Sequence, residues 1–551
     1  MAIPYNSLPS YNELFLKYIE NFEALKGFYD FNYRSDEDLL KCIEQKSQNY
    51  MSGKNFFRND ICEILKRQNE SFNSSEKTFD NIKLLGEHDT FAVITGQQLG
   101  LFTGPFYTIL KAINTIQLCE SLGNKFPGYK FVPVFWLESD DHDFLEINNV
   151  NIISKDNELK NIRYFEKGEE SEKYLKPTGN IFFDDHIDNV VNELEETLSK
   201  TDFTQDLFVK IRNSYKPGVN IKTAFATFLN LLLKDKGLIL VDPSEKEIKE
   251  ILKPVFIKEL TTAPQVCEKV IHTSVELEEN YSVQVKPKAI NLFYIHQGNR
   301  YLLEPRDNDI FALKHSRQKF DKDELFSILE SNPERFSWNV VTRPVCQDYL
   351  FPTVAYIGGP SEISYFAQFR DVYRFFNMPM PVIYPRTSVT VLESRVKNFL
   401  QKHDLKFNEL FYEKDLNKKL ARSTSEVSAD QIFADLKEEL TGVFYSYEKE
   451  LSRIDPRQTE SLTKRNKQFI DSLEMAKEKF TNAQAKQNEV LTVQLQKVLL
   501  SIYPENTLQE RIINITYFLN KYGPEFIDHI TDELKISTFE HQLIDTPVSR
   551  S

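Results

Sequence analysis

Cysteine is scarce in this chain. Its five residues, Cys42, Cys62, Cys119, Cys267 and Cys346, are odd in number, far apart and never set as C-x-x-C. That excludes a disulfide framework and a zinc finger, and it fits reduced thiols in a cytosol. No apolar run reaches the roughly eighteen residues that span a bilayer. The opening MAIPYNSLPSYNELF lacks the basic and then apolar pattern of a secretory leader. A soluble, unprocessed, cytoplasmic protein without a membrane partner is expected. Positive charge is in deficit as well: 68 Lys and Arg face 82 Asp and Glu, for a formal net charge of −14. A general nucleic-acid role is excluded, because neutralising phosphates takes clustered Lys and Arg; an anionic substrate needs a local basic pocket. Internal repeats and low-complexity segments are absent.

What is present is the material of a large folded enzyme. A length of 551 residues exceeds one compact core, and 41% hydrophobic residues with 43 Phe and 25 Tyr exclude disorder. Five short apolar runs, each followed by a turn and a helical pattern, read as buried parallel strands: Phe91 to Thr95, Phe131 to Leu137, Leu238 to Val241, Thr353 to Ile357 and Pro381 to Tyr384. Helices are expected to open at Pro105, at Asp242-Pro243 and at Gly358-Gly359-Pro360, with Ser361 as the cap of the last. The expected fold class is α/β, a Rossmann-like parallel-sheet core with sites at the carboxyl ends of its strands.

This core is expected over residues 1–390, with insertions at about 148–236 and 261–338. The first insertion is polar and reads as outside the core; the second contains a hairpin around QGN, with Tyr294 to Ile295 and Tyr301 to Leu303 on its arms. Residues 391–505 read as a helical coiled-coil arm in the register Leu462, Phe469, Leu473, Ala476, Phe480, Ala483 and Val490, with polar Asn466 and Gln487 interrupting it. An amphipathic helix packed on its own domain competes with that reading. Residues 506–551 are expected to fold back as helices on the core, starting from a capping box of Thr507 and Glu510.

Four blocks carry candidate chemistry. In VITGQQLGLFTGPFYTILKAI, Gly96, Gly100 and Gly104 permit close backbone approach before a helix start that favours an anion. Thr95, Gln97, Gln98 and Thr103 add hydrogen bonds and Lys111 a charge; structural turn glycines remain the competing explanation, since the spacing is neither Walker A nor dinucleotide fingerprint. In FVPVFWLESDDHDFLEI, Trp136 precedes Glu138, Asp140, Asp141, His142 and Asp143, which suit acid–base work or substrate binding. Consecutive side chains diverge and no second ligand set is present, so no metal is expected. RPVCQDYLFPTVAYIGGPSEISYFAQ offers Arg343, Gln347, Asp348, Tyr356, Gly358, Gly359 and Glu362. Glu362 suits either a helix dipole or a substrate ammonium, whereas Tyr356 and Cys346 suit packing. In PVIYPRTSVTVLESR, Arg386 and Ser388 follow the last strand, Arg386 being fitted to grip a phosphate or carboxylate.

In this order and separation, TGQQLGLFTGPFYTILKA, FWLESDDHDF, PVCQDYLFPTVAYIGGPSEI and YPRTS resemble the BshC family of bacillithiol biosynthesis, with similarity running over the whole chain. The resemblance implies a Rossmann-like core with inserted connecting segments, related in shape to class I nucleotidyltransferases, and a coiled coil through which subunits pair as a homodimer. It implies a ligase that joins L-cysteine to the glucosamine amine of glucosaminyl-malate. GQQLGLFTGP stands where such transferases carry a His-rich signature, and no KMSKS-like lysine loop lies near YPRTS.

Because a free carboxylate in water must be activated before it forms an amide, ATP or ADP is the expected nucleotide. The Gly96 to Gly104 loop and Arg386 are expected to hold anionic groups, and Asp141, His142 and Glu362 to orient amines. Two rivals stand beside this: a metal-dependent hydrolase built on the DDHD cluster, and a non-catalytic scaffold built on the helical arm.

Overall fold

The computed structural model describes residues 1–9, 11–49, 57–165, 175–307, 309–412, 416 and 429–547, without the side chains at 49, 429–430 and 481–488. The chain forms two compact units, one of Met1–Val391 with Pro504–Ser551 and one of Leu392–Tyr503.

All five apolar runs are strands of one sheet: β2 (Thr90–Gln97), β3 (Lys130–Leu137), β6 (Ile239–Val241), β12 (Thr353–Gly358) and β13 (Val382–Pro385). Their order is β13-β12-β2-β3-β6, and every pairing is parallel. Both faces are covered, so these strands read as continuous rather than alternating apolar sequence. Pro133 is tolerated in the central strand β3 because β6 pairs only with Val134 to Trp136, so Pro133 needs to satisfy β2 alone. The helix Tyr107–Lys125 joins β2 to β3 and packs on both.

The second insertion builds a separate antiparallel sheet from β7 (Leu292–His296), β8 (Asn299–Arg306), β9 (Ile310–Leu313), β10 (Lys319–Asp321) and β11 (Phe336–Trp338). Its order is β10-β9-β8-β7-β11. The hairpin expected around QGN joins β7 and β8: His296 faces Asn299, and Gln297 and Gly298 both take positive φ, as a two-residue primed turn requires. The first insertion, expected to stay outside any core, carries the hairpin β4 (Asn149–Ile153) with β5 (Leu159–Arg163) and buries Ile187, Val191, Leu194, Ile211 and Phe225 from its helices. Its polar composition belongs to the outer faces of those helices.

Three local expectations are corrected. The helix after β2 begins at Tyr107, because Pro105 forms a bridge with Asn514. The helix after β6 begins at Lys246, because the Asp242 carboxylate caps the turn at Ser244 and pairs with Lys222 at 2.5 Å. Thr507 and Glu510 form no capping box, because Glu510 is drawn inward to Arg386.

β1 (Ala2–Ile3), β15 (His541–Asp545) and β14 (Val389–Leu392) form a small sheet in that order. Beneath it the Arg386 guanidinium donates to both Glu510 oxygens, at 2.9 and 2.6 Å, and Glu510 also accepts the Val389 N–H at 2.7 Å. His541 lies within 2.8 Å of Ser388 and 2.9 Å of Thr390.

The second unit contains the helices Ser394–Lys402, Ala429–Leu451 and Pro456–Ile502. The last two form an antiparallel hairpin whose turn ends at Asp455, which caps the longer helix. Of the expected register, Phe469 meets Phe444 and Phe480 meets Phe433, with ring centroids 6.1 and 5.9 Å apart. Lys437 pairs with Glu474 across the hairpin at 2.5 Å. The expected seam is therefore partly filled within one chain, and Ala483 and Gln487 lie outside the described side chains.

Two outcomes follow for stability. Glu510→Ala leaves a buried guanidinium without its partner and is expected to cost about 3–5 kcal/mol, read from urea unfolding. Burial holds the His541 imidazole down to about 4 from an ordinary 6.5, against the pull of Glu510. The unfolded chain therefore takes up that proton first. Stability is expected to be full above pH 6.5 and to fall towards pH 4 by on the order of 3 kcal/mol. Unfolding measured across that range should show the slope, and His541→Gln should flatten it.

Candidate active site

A cavity of about 910 Å³ opens at the carboxyl ends of the parallel strands, where β2, β3, β12 and β13 release their loops. All four sequence blocks contribute to it, through Gln97 and Gln98, Asp141 and His142, Gly359 and Glu362, and Arg386. The helix after β2 adds Tyr107 and Lys111. The opposite wall comes from the antiparallel sheet and its approaches, including Phe293, Arg300, Trp338 and Lys314.

Lys111 is the hub beneath β2. Its ammonium donates to Gly96 O at 2.9 Å and Gln97 Oε1 at 3.1 Å, and pairs with Glu362 at 2.6 Å. Glu362 also accepts the Tyr356 hydroxyl at 2.6 Å and the Gly359 N–H at 2.8 Å. The last contact is the Glu362 half of a capping box on the helix Pro360–Phe366, whose cap is Gly359, a residue without a side chain to return the bond, rather than Ser361. Although burial alone would raise the Glu362 carboxyl, Lys111, Tyr356 and the Gly359 amide hold it below its usual range.

The loop after β3 does not act as one cluster. Asp140 turns away from the cavity to a fully buried ion pair with Lys249, whose ammonium lies 3.8 Å from the Trp338 ring centre. Asp141 accepts from Gln98 at 2.6 Å and from Arg300 at 3.5 Å. Arg300 donates to His142 Nδ1 at 3.0 Å, and burial together with that guanidinium lowers the imidazole's affinity for a proton. Among the described residues no three His, Cys, Asp or Glu side chains converge as a metal-holding group.

Several expected ligand contacts are structural instead. Thr95 donates to Ile357 O at 3.0 Å and stitches β2 to β12. Gln347 accepts from Arg343, Asp348 pairs with Lys46 at 2.9 Å, and both are buried outside the cavity. Gly358 accepts the Arg386 N–H at 2.8 Å, while Ser388 is held by Tyr11, Glu510 and His541. Trp136 lies under the cavity floor, and its indole donates to Glu138 at 3.0 Å.

Of the two readings open for the glycine loop, turn packing accounts for Gly100 and Gly104: a Cβ on Gly100 would sit 2.7 Å from the Gly104 Cα, so these glycines pack on each other. Phe102, Thr103 and Gly104 all take positive φ, and the Asn514 side chain clamps the Phe102 and Gly104 carbonyls. The loop amides of Gly100, Gly104 and Phe106 donate to Gln98, Leu101 and Ile513. Those three donors are used internally, whereas Gly96, Gln97 and Gln98 at the start of the loop line the cavity. Arg386 likewise reaches the cavity only by its edge, since its fork is closed on Glu510.

Sequence reasoning passed over Arg300 as a site residue and left Arg343 without a role. Arg300 had one readable signal, its place between the QGN turn and the expected hairpin arm Tyr301 to Leu303. Arg343 is buried, donates to Gln347 at 3.1 Å, and lies over the Tyr356 ring at 5.2 Å. Among the described residues it makes no ion pair. A guanidinium presented to a cavity in this way is a receptor for a carboxylate or phosphate.

Lys111→Met is expected to cost about 3 kcal/mol or more, because it strands Glu362 as a buried anion. Adding Glu362→Gln should recover much of that loss. A double-mutant cycle in urea, with the double variant more stable than the sum of the singles, checks the coupling.

Comparison with known proteins agrees with this architecture. Residues 1–387 match the family model described as Bacillithiol biosynthesis BshC, N-terminal Rossmann-like domain, and residues 389–546 match its C-terminal coiled-coil domain. A protein of Chloroherpeton thalassium, named "Putative cysteine ligase BshC", is 36% identical over 98% of this chain and 99% of its own length. Proteins of the same name from Salinibacter ruber and Bacillus cytotoxicus are 32% and 30% identical, over 98% and 92% of this chain and 97% and 96% of their own. Matched by both domain models and by relatives over nearly its full length, the chain belongs to the BshC family of bacillithiol biosynthesis.

Proposed function

We propose that the protein is a ligase that joins the carboxyl group of L-cysteine to the amine of glucosaminyl-malate, forming bacillithiol. The observation that carries this reading is the buried Arg343, without an ion pair among the described residues, in a cavity that also presents Glu138, Asp141 and Glu362. Reactants that bear amines and carboxylates need both signs of charge in one hollow, and about 910 Å³ accommodates two such molecules. The relatives' shared name supports the same reaction class.

An amide bond from a free carboxylate requires activation, and a nucleoside triphosphate such as ATP is the proposed source. Lys286, Lys288 and Lys314 on the opposite wall, none with an ion pair among the described residues, suit a polyanion. Asp141 and Glu362 are proposed to orient amines. His142, facing Arg300, is proposed to serve as a neutral hydrogen-bonding group.

Subunit pairing through the helical arm is proposed on its unburied apolar side chains, among them Ile432, Tyr445, Phe469, Met475 and Phe480. A cytoplasmic location is proposed on the five free thiols; no helix of the described residues is long and apolar enough to cross a membrane. The hydrolase rival lacks a convergent ligand set in the DDHD segment, since Asp140 turns to Lys249 while Asp141 and His142 share a guanidinium, Arg300.

Purified protein given L-cysteine, glucosaminyl-malate and ATP should yield the thiol product by mass spectrometry; no product under any nucleotide condition counts against the reading. Arg343→Ala should lower kcat/KM by at least about tenfold, as expected for a charged hydrogen bond of roughly 1.5–3 kcal/mol. In cells, the same variant should accumulate glucosaminyl-malate. An unchanged thiol profile would favour the scaffold rival.

A further inference from the structure

The chain contains two tryptophans, and both direct their indole N–H groups at one carboxylate. Trp136, at the end of β3, donates to Glu138 Oε2 at 3.0 Å; Trp338, at the end of β11, donates to Oε1 at 2.8 Å. The rings meet edge to face with centroids 5.3 Å apart. The carboxylate is thus held from two different sheets, one oxygen by each, at the cavity wall. Below, the Lys249–Asp140 pair places its ammonium on the Trp338 ring, which fixes the indole from the far side.

We propose that Glu138, clamped by these two indoles, is the proton acceptor for the amine that attacks the activated cysteinyl group. This rests on the ligase reading above. In the step, the amine nitrogen bonds to the carbonyl carbon of an acyl-phosphate or acyl-adenylate. One N–H proton passes to Glu138, and the C–O bond to the phosphate or nucleotide breaks, its electron pair leaving with the oxygen.

Geometry separates Glu138 from the other acids of the cavity. Glu362 is committed to Lys111, Tyr356 and a backbone amide. Asp141 is taken by Gln98 and Arg300, and His142 faces the same guanidinium. Glu146 accepts from Gln98 in an exposed position. Glu138 makes no ion pair among the described residues. Its two indole donors are neutral and use two of about four lone-pair sites, which leaves room for an incoming N–H. The groups that act on it from neighbouring elements are Arg343, Arg300, Asp141 and the Cys346 thiol. Burial raises its carboxyl above the usual range, against Arg343 and the Trp338 indole, whereas Glu362 in the same cavity is lowered. Two acids driven apart in this way divide their roles, the more basic one receiving protons.

The clamp makes the proposal readable by tryptophan emission, since no other indole contributes. In the purified full-length protein, a pH titration of that emission should show a transition above the ordinary Glu range of about 4.3, and Glu138→Gln should abolish it. In the ligation assay, the acid limb of kcat/KM should coincide with that transition. Glu138→Gln should lower kcat by about 100-fold or more, with KM for cysteine little changed. Trp338→Phe keeps a ring on Lys249 but removes one donor to the carboxylate, so it should move the acid limb to higher pH while product still forms. This second variant keeps the test alive if Glu138→Gln does not fold. An acid limb unmoved in Trp338→Phe, or activity near wild type in Glu138→Gln, overturns the role of Glu138 alone. Wild-type protein that gives no amide product overturns the ligase reading, and this role with it.

Discussion

A charge removed from water has to be matched, and the carboxyl edge of the parallel sheet is built around that requirement. Lys111 meets Glu362, Arg386 meets Glu510 and Lys249 meets Asp140, the last two pairs fully buried and the first at the cavity wall, and each joins segments far apart in the chain. Breaking one member is more damaging than the pair is stabilising, because the survivor is left charged in a poor solvent. These pairs therefore dictate which chain segments must come together. The strand-end loops are held by β1, β14, β15 and Glu510 on one side and by the helices after β2 and β6 on another.

Against that matched background, the groups that are not neutralised stand out. Among the described residues Arg343 is buried without an ion-paired carboxylate, and Glu138 takes its hydrogen bonds from uncharged indoles. Both face the same hollow. Their wall-mates Arg300 and Trp338 come from the antiparallel sheet, so the site depends on an inserted module as well as on the Rossmann-like sheet. Asp140 is part of this arrangement at one remove: it holds Lys249, which supports Trp338, which in turn holds Glu138.

The glycine-rich loop shows how the same residues can serve packing rather than binding. Gly100 and Gly104 allow two backbone segments to touch, and Asn514 from the C-terminal segment ties down the Phe102 and Gly104 carbonyls. Three successive residues with positive φ are tolerated there because Phe102 is buried against Tyr215, with centroids 4.7 Å apart, and the carbonyls are clamped.

The α/β class, the five strands and the β7–β8 hairpin were legible in the amino-acid sequence, because buried parallel strands and primed turns leave short-range patterns. So was the convergence of four loops, since in such sheets the carboxyl ends of all the strands share one edge. The partners of individual polar residues were not legible. Asp140, Asp141 and His142 are neighbours in the chain yet turn to Lys249, Gln98 and Arg300, and Glu510 leaves an apparent capping box for Arg386. Local sequence specifies backbone periodicity, whereas the direction of a buried charge is set by whichever opposite charge the folded chain brings within reach; that choice belonged to the tertiary structure alone.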